Sequence, residues 1–432
     1  MISKTEPQPT ILPEAESPDK RPRVLLVPDS LYWAVGSIGQ RIADHNPDFR
    51  FEMQSELALT PMLHHFGQHP DPPDVVHFLT PHAANRMRHF FPDSAWATSL
   101  LHIEDSKSTE SLGDCDAVMV LAKQWAGEAE KLGIPSERII RVPLGVDAQC
   151  FRPGSPAERR AARQALGLPD DRFVIGFCGK KTSDKVQRKG TDLFVRAFLR
   201  FAEKHGNAAA LLMGPGWGEF AEELRATGTP CVEASFAIDV DKLTRNFHCL
   251  DLFWVTASIE GGPMPLLEAM VTGVACLTTR VGTALDIIED GTNGFFVPFD
   301  DRQPLVDRSL ELARDDVLRA RIGDAARSSM ESQRGWGQTA PSASSLYRVA
   351  ISNGRDRLAL RPRTASATRS LSPRWKRWMA AREHYNFSRD LSKMQEYTAA
   401  LDLAHRARRE NPMDARLWWH EGRTWLQQEV AR

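Results

Sequence analysis

The sequence alternates short apolar segments with segments of helical character, and this alternation occurs twice. In the first half the apolar segments are residues 23–28, 74–78, 95–101, 116–121 and 139–144, and in the second half they are residues 173–179, 208–213, 252–255, 274–279 and 294–297. Apolar strands that alternate with helices indicate parallel sheets with both faces covered. We therefore predict an α/β protein with two Rossmann-like, doubly wound parallel sheets and a boundary between residues 147 and 169.

This pattern divides the chain into five parts. Residues 1–22 are predicted to be a flexible tail, residues 23–150 a first Rossmann-like domain, and residues 166–334 a second one. Residues 335–382 are predicted to form a helix that returns across the domain interface, followed by a basic linker. Residues 383–432 are predicted to form a helical extension that resembles one tetratricopeptide unit.

The last two parts leave alternatives open. The basic stretch contains Trp375, Lys376, Arg377 and Trp378, and it is either a solvated linker or a segment that touches anionic lipid headgroups. The helical extension either packs against the rest of the chain or docks a protein partner.

The composition excludes several classes of function. The chain of 432 residues has a formal net charge of −1, so no overall charge favours binding to nucleic acid. Its six cysteines are dispersed and lie in apolar contexts, which is typical of buried free thiols in a reducing compartment. No apolar run is long enough to span a membrane, and residues 1–21 lack the apolar core of a signal peptide. We therefore predict a cytoplasmic protein.

Two carboxylates, Glu260 and Glu268, enclose a turn of glycine and proline that opens a helix. Pro265 suits the first turn of that helix, and Gly273 fits just past its end. A helix start of this kind presents free backbone N–H groups and a positive end to an anion. Carboxylates in the same place require hydroxyl partners. A nucleotide sugar offers both, because it carries a diphosphate as well as ribose and hexose hydroxyls.

Several motifs along residues 23–351 resemble those of family 4 glycosyltransferases, which have the GT-B fold. The segment from Glu260 to Glu268 resembles the E-x7-E signature of that family, and residues 290–294 resemble the loop that follows it. Residues 133–139, 143–147 and 151–153 resemble its interdomain segment, and residues 189–193 its lysine-glycine helix start. The order and spacing of these motifs make the resemblance specific.

The resemblance implies roles for residues of the second half. Glu268 would hold the ribose hydroxyls, Glu260 would contact the donor hexose, and Lys189 would pair with the diphosphate. Backbone groups of the turn and helix start would meet the diphosphate and sugar; these belong to Gly262, Met264, Leu266 and Leu267. The family usually has arginine where this chain has Lys180, so the diphosphate partner could be Lys180, Lys181, Lys185 or Arg188.

The resemblance also implies residues of the cleft outside this segment. His102 follows a strand and matches a histidine that the family places near the transferred sugar. Gly36 stands where relatives carry adjacent glycines near the diphosphate. Gly214, at the end of a second-half strand, forms either a tight turn or a donor contact.

The function that follows is retaining transfer of a hexose-type sugar from a nucleotide-diphosphate sugar to a glycan, a lipid-linked acceptor or a small molecule. His102, Glu260 and Lys189 are the expected catalytic residues. The resemblance implies no essential metal and no cofactor beyond the donor. The aspartate pairs at 114 and 116 and at 239 and 241 resemble the metal-binding motif of other glycosyltransferases but do not stand in its setting. The alternatives are an epimerase-like enzyme, or an inactive scaffold whose helical tail binds a partner. An alternative location for the protein is the inner face of the membrane, with peripheral contact.

Overall fold

The computed structural model describes residues 19–31, 34–103, 109–181, 188–234, 240–359, 373–393, 397–411, 420–421 and 424. The described residues form two six-stranded sheets in which every strand pairing is parallel. The first sheet contains β1 (Arg23–Val27), β2 (Arg50–Met53), β3 (Val75–Phe78), β4 (Ala95–Leu100), β5 (Ala117–Val120) and β6 (Ile139–Arg141). The second contains β7 (Phe173–Cys178), β8 (Ala208–Met213), β9 (Cys231–Ala234), β10 (Leu252–Val255), β11 (Ala275–Thr278) and β12 (Phe295–Phe296).

Helices connect the strands and cover both sheets. Those of the first half are α1 (Ala34–Asp44), α2 (Glu56–Phe66), α3 (Pro81–Met87) and α4 (Lys123–Lys131). Those of the second half are α5 (Pro156–Leu166), α6 (Thr191–His205), α7 (Gly218–Ala226), α8 (Val240–His248), α9 (Met264–Val271), α10 (Ala284–Ile287), α11 (Arg302–Arg314) and α12 (Asp316–Gln333). The chain continues with α13 (Trp336–Thr339), α14 (Ala343–Ala359), α15 (Pro373–Lys393) and α16 (Tyr397–Glu410). The predicted α/β architecture with two doubly wound sheets and C-terminal helices is confirmed.

The strand order shows where a ligand would bind in each sheet. The first sheet has the order β2-β1-β3-β4-β5-β6, and the second has the order β12-β11-β10-β7-β8-β9. The direction of winding reverses between β1 and β3 in the first sheet and between β7 and β10 in the second. Ligands of open parallel sheets bind beyond the carboxyl ends of the strands at such a reversal.

The two strands that the sequence pattern did not predict, β2 and β9, both lie at an edge of a sheet. Each has four residues, and each includes an exposed glutamate, Glu52 or Glu233. An edge strand is covered on fewer sides than a central one, so it does not need the continuous apolar run that marks a buried parallel strand.

Helix α14 returns to the first sheet and packs against β4 and β5. Its buried Tyr347 lies against the rings of Phe49 and Phe51, with centroid distances of 5.2 and 5.5 Å, and its hydroxyl lies 3.1 Å from Nδ1 of His77. A Cβ atom at Gly354 would approach that of Ala95 to 2.7 Å, so the helix lies close to the sheet. The helix that follows the second half therefore belongs to the core of the first half.

The chain passes from the first half to the second earlier than the predicted limit at residue 166. That limit falls at the last residue of α5, whose buried Arg163 donates to the Cys249 carbonyl at 2.9 Å and pairs with Asp251 at 2.8 Å. Asp251 in turn accepts from the Val174 N–H of β7 at 2.7 Å. These bonds attach α5 to the second sheet.

Helix α15 crosses the predicted limit at residue 382 and packs against α2 of the first half. Its buried Met379 lies in the apolar cluster beneath α2, and the Glu383 carboxylate accepts from the hydroxyl of Ser55, which caps α2. Glu383 also accepts from the Leu31 N–H at 3.4 Å, in the loop after β1. Apolar and hydrogen-bonded contacts of this kind explain why a helix forms where a linker was predicted. The predicted lipid-contact side chains of Trp375 and Lys376 lie outside the described residues.

Candidate active site

A small cavity lies beyond the carboxyl ends of β7 and β10, where the winding of the second sheet reverses. Its wall is formed by Phe177, Cys178, Lys189, Phe253, Trp254, Val255, Thr256, Ala257, Glu260, Pro263 and Pro265. The predicted residues Lys189 and Glu260 therefore share one cavity at the place in the sheet where the fold favours a ligand.

Backbone contacts bring Lys189 to Glu260. The loop of Arg188 to Gly190 lies along the segment after β10, where the Ser258 N–H donates to the Arg188 carbonyl at 2.9 Å and the Thr256 hydroxyl to the Gly190 carbonyl at 2.8 Å. Gly190 has a φ of 63°, and a Cβ atom there would overlap the Thr256 carbonyl. Only glycine permits both this backbone conformation and this close approach.

The Glu260 carboxylate is buried and paired with two cations. One of its oxygens forms an ion pair with Nζ of Lys189, and the other lies 3.3 Å from Nη1 of Arg188. The side chain is 7% exposed, and a carboxylate in such a position requires charged partners. Of the basic residues predicted to meet a diphosphate, Arg188 and Lys189 are thus both held at Glu260.

The second carboxylate, Glu268, differs because it has no partner among the residues that the structure describes. It lies on α9 with 8% exposure, and none of the described residues forms a hydrogen bond or ion pair with its carboxylate. Burial raises the pKa of Glu268 to about 8. Burial also raises the pKa of the Cys178 thiol, which lines the cavity, to about 12, and the charge of Glu268 contributes to this shift.

The turn between the two glutamates contacts the first half of the molecule. A Cβ atom at Gly261 would overlap the Leu101 carbonyl, and one at Gly262 would overlap the side chain of Leu144. His102 follows Leu101 directly and is half-buried. The structure therefore brings the predicted residue His102 next to the glycine turn of the other half.

Helix α9 begins at Met264, with Pro265 in its first turn, and ends before Gly273, which has a φ of 81°. The Leu266 N–H donates to the Pro263 carbonyl at 2.8 Å, so it closes the first turn of the helix. Among the predicted backbone donors to an anion, this leaves the N–H groups of Gly262, Met264 and Leu267 as the candidates.

Lys180 and Gly214 lie at the ends of neighbouring strands. Lys180 is exposed and makes no hydrogen bond or ion pair with any residue that the structure describes, whereas Lys185 lies outside the described residues. Gly214 has a φ of 128°, and a Cβ atom there would lie 2.9 Å from the Gly179 carbonyl. The close approach of two strand ends is therefore sufficient to explain this glycine.

Gly36 lies in the first turn of α1, where a Cβ atom would overlap the carbonyl of Ser30 and approach that of Leu31 to 2.6 Å. This position lets α1 pack against the loop after β1. Gly36 thus has a structural role within the first half, and its contact with a diphosphate stays a prediction.

The aspartate pairs that resemble a metal site have other surroundings. Asp114 pairs with Arg88 at 2.6 Å, and Asp116 pairs with Arg357 of α14 at 3.0 Å. Asp239 lies outside the described residues. Within the described ranges no three histidine, cysteine, aspartate or glutamate side chains form a group that could hold a metal ion.

Trp125 is a residue near the site that the sequence analysis missed. Its indole Nε1–H donates to the Glu260 carbonyl at 3.0 Å, across the junction between the two halves. The available signal was its place at the start of a helix that follows a central strand of the first sheet, because such helix starts face the ligand-binding edge.

The fold defines the chain as a GT-B protein, with two Rossmann-like sheets and a cavity at the edge of the second sheet. Anabaena HepE, whose crystal structure holds UDP and glucose, has the same fold with a TM-score of 0.62 and 16% identity, over 77% of this chain and 99% of HepE. Sucrose-phosphate synthase of Thermosynechococcus elongatus also shares it, with a TM-score of 0.59 and 16% identity, over 77% of this chain and all of the matched chain.

Sequence comparison extends the similarity to a family. Residues 158–329 match the model of glycosyl transferases group 1. The chain is 27% identical over 205 residues to a GDP-mannose-dependent monoacylated alpha-(1-6)-phosphatidylinositol monomannoside mannosyltransferase of Corynebacterium glutamicum, which is 45% of this chain and 52% of the relative. It is 28% identical over 208 residues to a lipopolysaccharide core biosynthesis mannosyltransferase of Rhizobium meliloti, which is 46% of this chain and 56% of the relative.

These matches agree with the resemblance predicted from the sequence: the chain is similar to group 1 glycosyltransferases, and the part that matches the family model is residues 158–329. The chain spans about half the length of the curated relatives it matches. No helix in the part of the chain that the structure describes combines the length and apolarity needed to cross a membrane.

Proposed function

We propose that the protein transfers a hexose-type sugar from a nucleotide-diphosphate sugar to a hydroxyl group of a glycan, a lipid-linked acceptor or a small molecule. The observation that carries this proposal is the arrangement at the cavity of the second sheet. There Lys189 and Glu260 line the cavity where parallel sheets bind ligands, and Arg188 pairs with the same Glu260 carboxylate. The buried carboxylate of Glu268, which has no described partner, lies on α9, whose first turn includes the cavity residue Pro265.

Glu268 supplies the site for the ribose. A buried carboxylate without hydrogen bonds is unfavourable in the free protein, and burial accordingly raises its pKa to about 8. Ribose hydroxyls would donate hydrogen bonds to it and stabilise its charged form. Donor binding near neutral pH would therefore release a proton from Glu268.

Arg188 and Lys189 supply the site for the diphosphate. In the free protein both cations lie against Glu260. A diphosphate that binds in the cavity would offer them oxygens of higher charge and would free the Glu260 carboxylate to accept hydrogen bonds from the hexose hydroxyls. Lys180, which is exposed at the end of β7, could add a third cation.

The reaction breaks the bond between the anomeric carbon and the diphosphate oxygen, and the electron pair leaves with the diphosphate. Lys189 and the positive start of α9 would stabilise this leaving group. The acceptor oxygen would bond to the anomeric carbon from the same face, with retention of configuration, and its proton would pass to the leaving phosphate oxygen. His102 would contact the transferred sugar from the first half. This scheme uses no metal ion.

The nature of the relatives suggests which donors to test first. One relative is named as dependent on GDP-mannose, and the HepE crystal structure holds UDP and glucose. Another relative, from Salmonella typhimurium, is named as an N-acetylglucosaminetransferase. A panel of GDP-mannose, UDP-glucose and UDP-N-acetylglucosamine therefore covers these possibilities. A cytoplasmic location and peripheral membrane contact remain predictions.

The test measures release of nucleoside diphosphate from each donor of the panel by the full chain. We expect release with one donor and its loss in Glu268→Ala. The control is Glu222→Ala, which changes an exposed glutamate of α7 on the same half. Absence of binding to every nucleotide sugar would contradict the proposal. Conversion of the donor sugar without an acceptor would instead identify an epimerase-like enzyme.

A further inference from the structure

Helix α4 of the first half begins against the second half, beside the candidate active site. Three successive residues at its start form hydrogen bonds across the junction. The Lys123 N–H donates to Oδ2 of Asp286 at 3.1 Å, and the Gln124 side-chain oxygen accepts from the Gly282 N–H at 2.9 Å. The Trp125 indole N–H donates to the Glu260 carbonyl at 3.0 Å.

The first of these bonds caps the helix. Ala122 stands at the N-cap position of α4 and has no side chain that could accept from the free N–H groups of the first turn. Asp286 of α10 supplies the acceptor from the other half, and its side chain is only 4% exposed. Arg141 of the first half lies 3.4 Å from the same carboxylate oxygen. Helix α4 therefore has its cap only when the two halves are together.

The other two bonds hold the backbone that carries Glu260. Gly282 has a φ of 45°, and a Cβ atom there would overlap the carbonyls of Glu260 and Gly261. The Thr283 N–H donates to the Gly261 carbonyl at 3.1 Å. The loop at Gly282 thus lies directly on the turn after Glu260. Gln124 fixes this loop, and Trp125 fixes the Glu260 carbonyl.

We propose that residues 123–125 form a closure latch that positions Glu260 when the two halves meet. Gln124 and Trp125 are positioning residues in this proposal, because they bond to backbone groups of the turn and act through Glu260. The role in turnover rests on the proposed function. The latch consists of hydrogen bonds between the two halves, and their formation can be measured without any donor.

The latch separates two parts of donor recognition. Glu268 belongs to the second half alone, so a bare nucleoside diphosphate can bind without the latch. The hexose requires Glu260 in its correct orientation, and a displacement of about 1 Å in a reacting group can cost up to about 100-fold in rate. Loss of the latch is therefore expected to lower turnover of the nucleotide sugar and to leave the affinity for the nucleoside diphosphate unchanged.

The first experiment is amide hydrogen exchange of the full chain without donor. We expect the N–H groups of Gly282 and Lys123 to be protected, since both donate in the latch. In Gln124→Met the Gly282 amide should exchange about tenfold faster. The matched control is Lys131→Met, at the exposed far end of the same helix. A Gly282 amide that exchanges freely in the unmodified protein would overturn the latch.

The second experiment measures turnover and binding for Gln124→Met and Trp125→Phe. Phenylalanine keeps an aromatic ring and removes the indole N–H. We expect kcat to fall about tenfold in both variants, with an unchanged Kd for the nucleoside diphosphate, and no change in Lys131→Met. Unchanged kcat in both latch variants would refute their positioning role. If the unmodified protein turns over no donor, the proposed function fails, and the exchange experiment still decides whether the latch exists.

Discussion

In the second half, most of the contacts that hold the loops of the candidate site join segments that follow strands of one sheet, and the first half adds the latch at residues 123–125. Gly190 lies on Thr256, Arg188 accepts from Ser258, and Gly261 accepts from Thr283. The first half differs because its structure depends on segments from the far end of the chain. Its His77 bonds to Tyr347 of α14, and its Ser55 bonds to Glu383 of α15.

The two halves are held in place by different kinds of contact. On the donor side, close backbone contacts at Gly190 and Gly282 leave no room for a larger residue, and the side chains of Gln124 and Trp125 add bonds to the same backbone. The first-half side is held by side chains of helices that come after both sheets. Acceptor recognition would therefore depend on α14 and α15 as well as on the loops of the first sheet. Glu383 illustrates this, because it accepts from the Leu31 N–H in the loop after β1.

The largest effect is expected from Gly190→Ala, because the new methyl group would overlap the Thr256 carbonyl. Gly206→Ala is the matched control, since both glycines flank α6 with positive φ values, 63° and 76°, and a Cβ atom at Gly206 meets no atom within 4 Å. The backbone conformation alone costs about 1 kcal/mol. We expect about 1 kcal/mol for the control and about 3–5 kcal/mol for Gly190→Ala, measured by urea unfolding.

The same pair of variants also tests the site. Opening the contact between Gly190 and Thr256 would separate Lys189 from Glu260, so donor binding should be lost in Gly190→Ala and kept in Gly206→Ala. Equal stability and equal donor binding of the two variants would show that the close approach of Gly190 to Thr256 is not needed to hold Lys189 at Glu260.

The next effect concerns Glu268→Gln and depends on pH. The pKa of Glu268 is about 8 in the folded chain, against an ordinary value of 4.5. Between these values the folded state binds the proton that the unfolded state has lost, so the free energy of unfolding falls as the pH rises. The glutamine variant lacks this loss. It should be more stable than the unmodified protein by about 4 kcal/mol at pH 8 and equally stable at pH 4.

Binding should change in the opposite direction. Glutamine offers one acceptor oxygen and no charge to the ribose hydroxyls, so the affinity for a nucleoside diphosphate should fall by about 10–100-fold. Calorimetry in buffers of different ionisation enthalpy would also show proton release on binding by the unmodified protein at pH 7.5, and none by the variant. A stable variant with full affinity would remove Glu268 from the donor site.

Much of the fold could be predicted because central parallel strands need continuous apolar runs. Strands such as β7 and β10 are marked by their residues alone, and the glycine turn after Glu260 marks the helix that follows. The edge strands β2 and β9 were missed because partial exposure removes the apolar signal. The helical start at Pro373 was missed because the residues before Met379 are strongly basic, and the cluster beneath α2 that holds Met379 becomes visible only in three dimensions.

The site was predictable only where its residues are close in sequence. Glu260 and Glu268 are eight positions apart, and Lys189 belongs to a motif of its own. The contacts of Trp125 and Gln124 with the turn span 135 and 158 positions, and no local pattern encodes them. The lack of a described partner for Glu268 likewise depends on which side chains surround it after folding.

A smaller effect should appear in the first half at acidic pH. Burial lowers the pKa of His77 to about 3, from an ordinary value of 6.5. Between these values the unfolded state binds a proton that the folded state does not, so stability is lost as the pH falls below 6.5. Between pH 7 and pH 5 the free energy of unfolding should therefore decrease by about 1–2 kcal/mol less in His77→Gln than in the unmodified protein. His69, whose burial lowers its pKa to about 4, would account for part of the remaining loss.

The measurement is the free energy of unfolding at several pH values for His77→Gln and for the unmodified protein. The two halves should then differ in sign, because the buried glutamate of the second half destabilises at high pH and the buried histidine of the first half at low pH. The same pH slope in both proteins would show that His77 is not protected from protonation in the folded chain.

The smallest effect is expected for Tyr347→Phe, which removes the hydroxyl group that lies 3.1 Å from Nδ1 of His77. Loss of this hydrogen bond should cost about 1 kcal/mol. Tyr385→Phe on α15 is the control, because no described residue forms a hydrogen bond with its hydroxyl. Donor affinity should not change in either variant, since Tyr347 holds only the first half together. If Tyr347→Phe weakened donor binding as strongly as Glu268→Gln, the donor side would depend on the distant helices as the first half does, and the contrast between the two halves would fail.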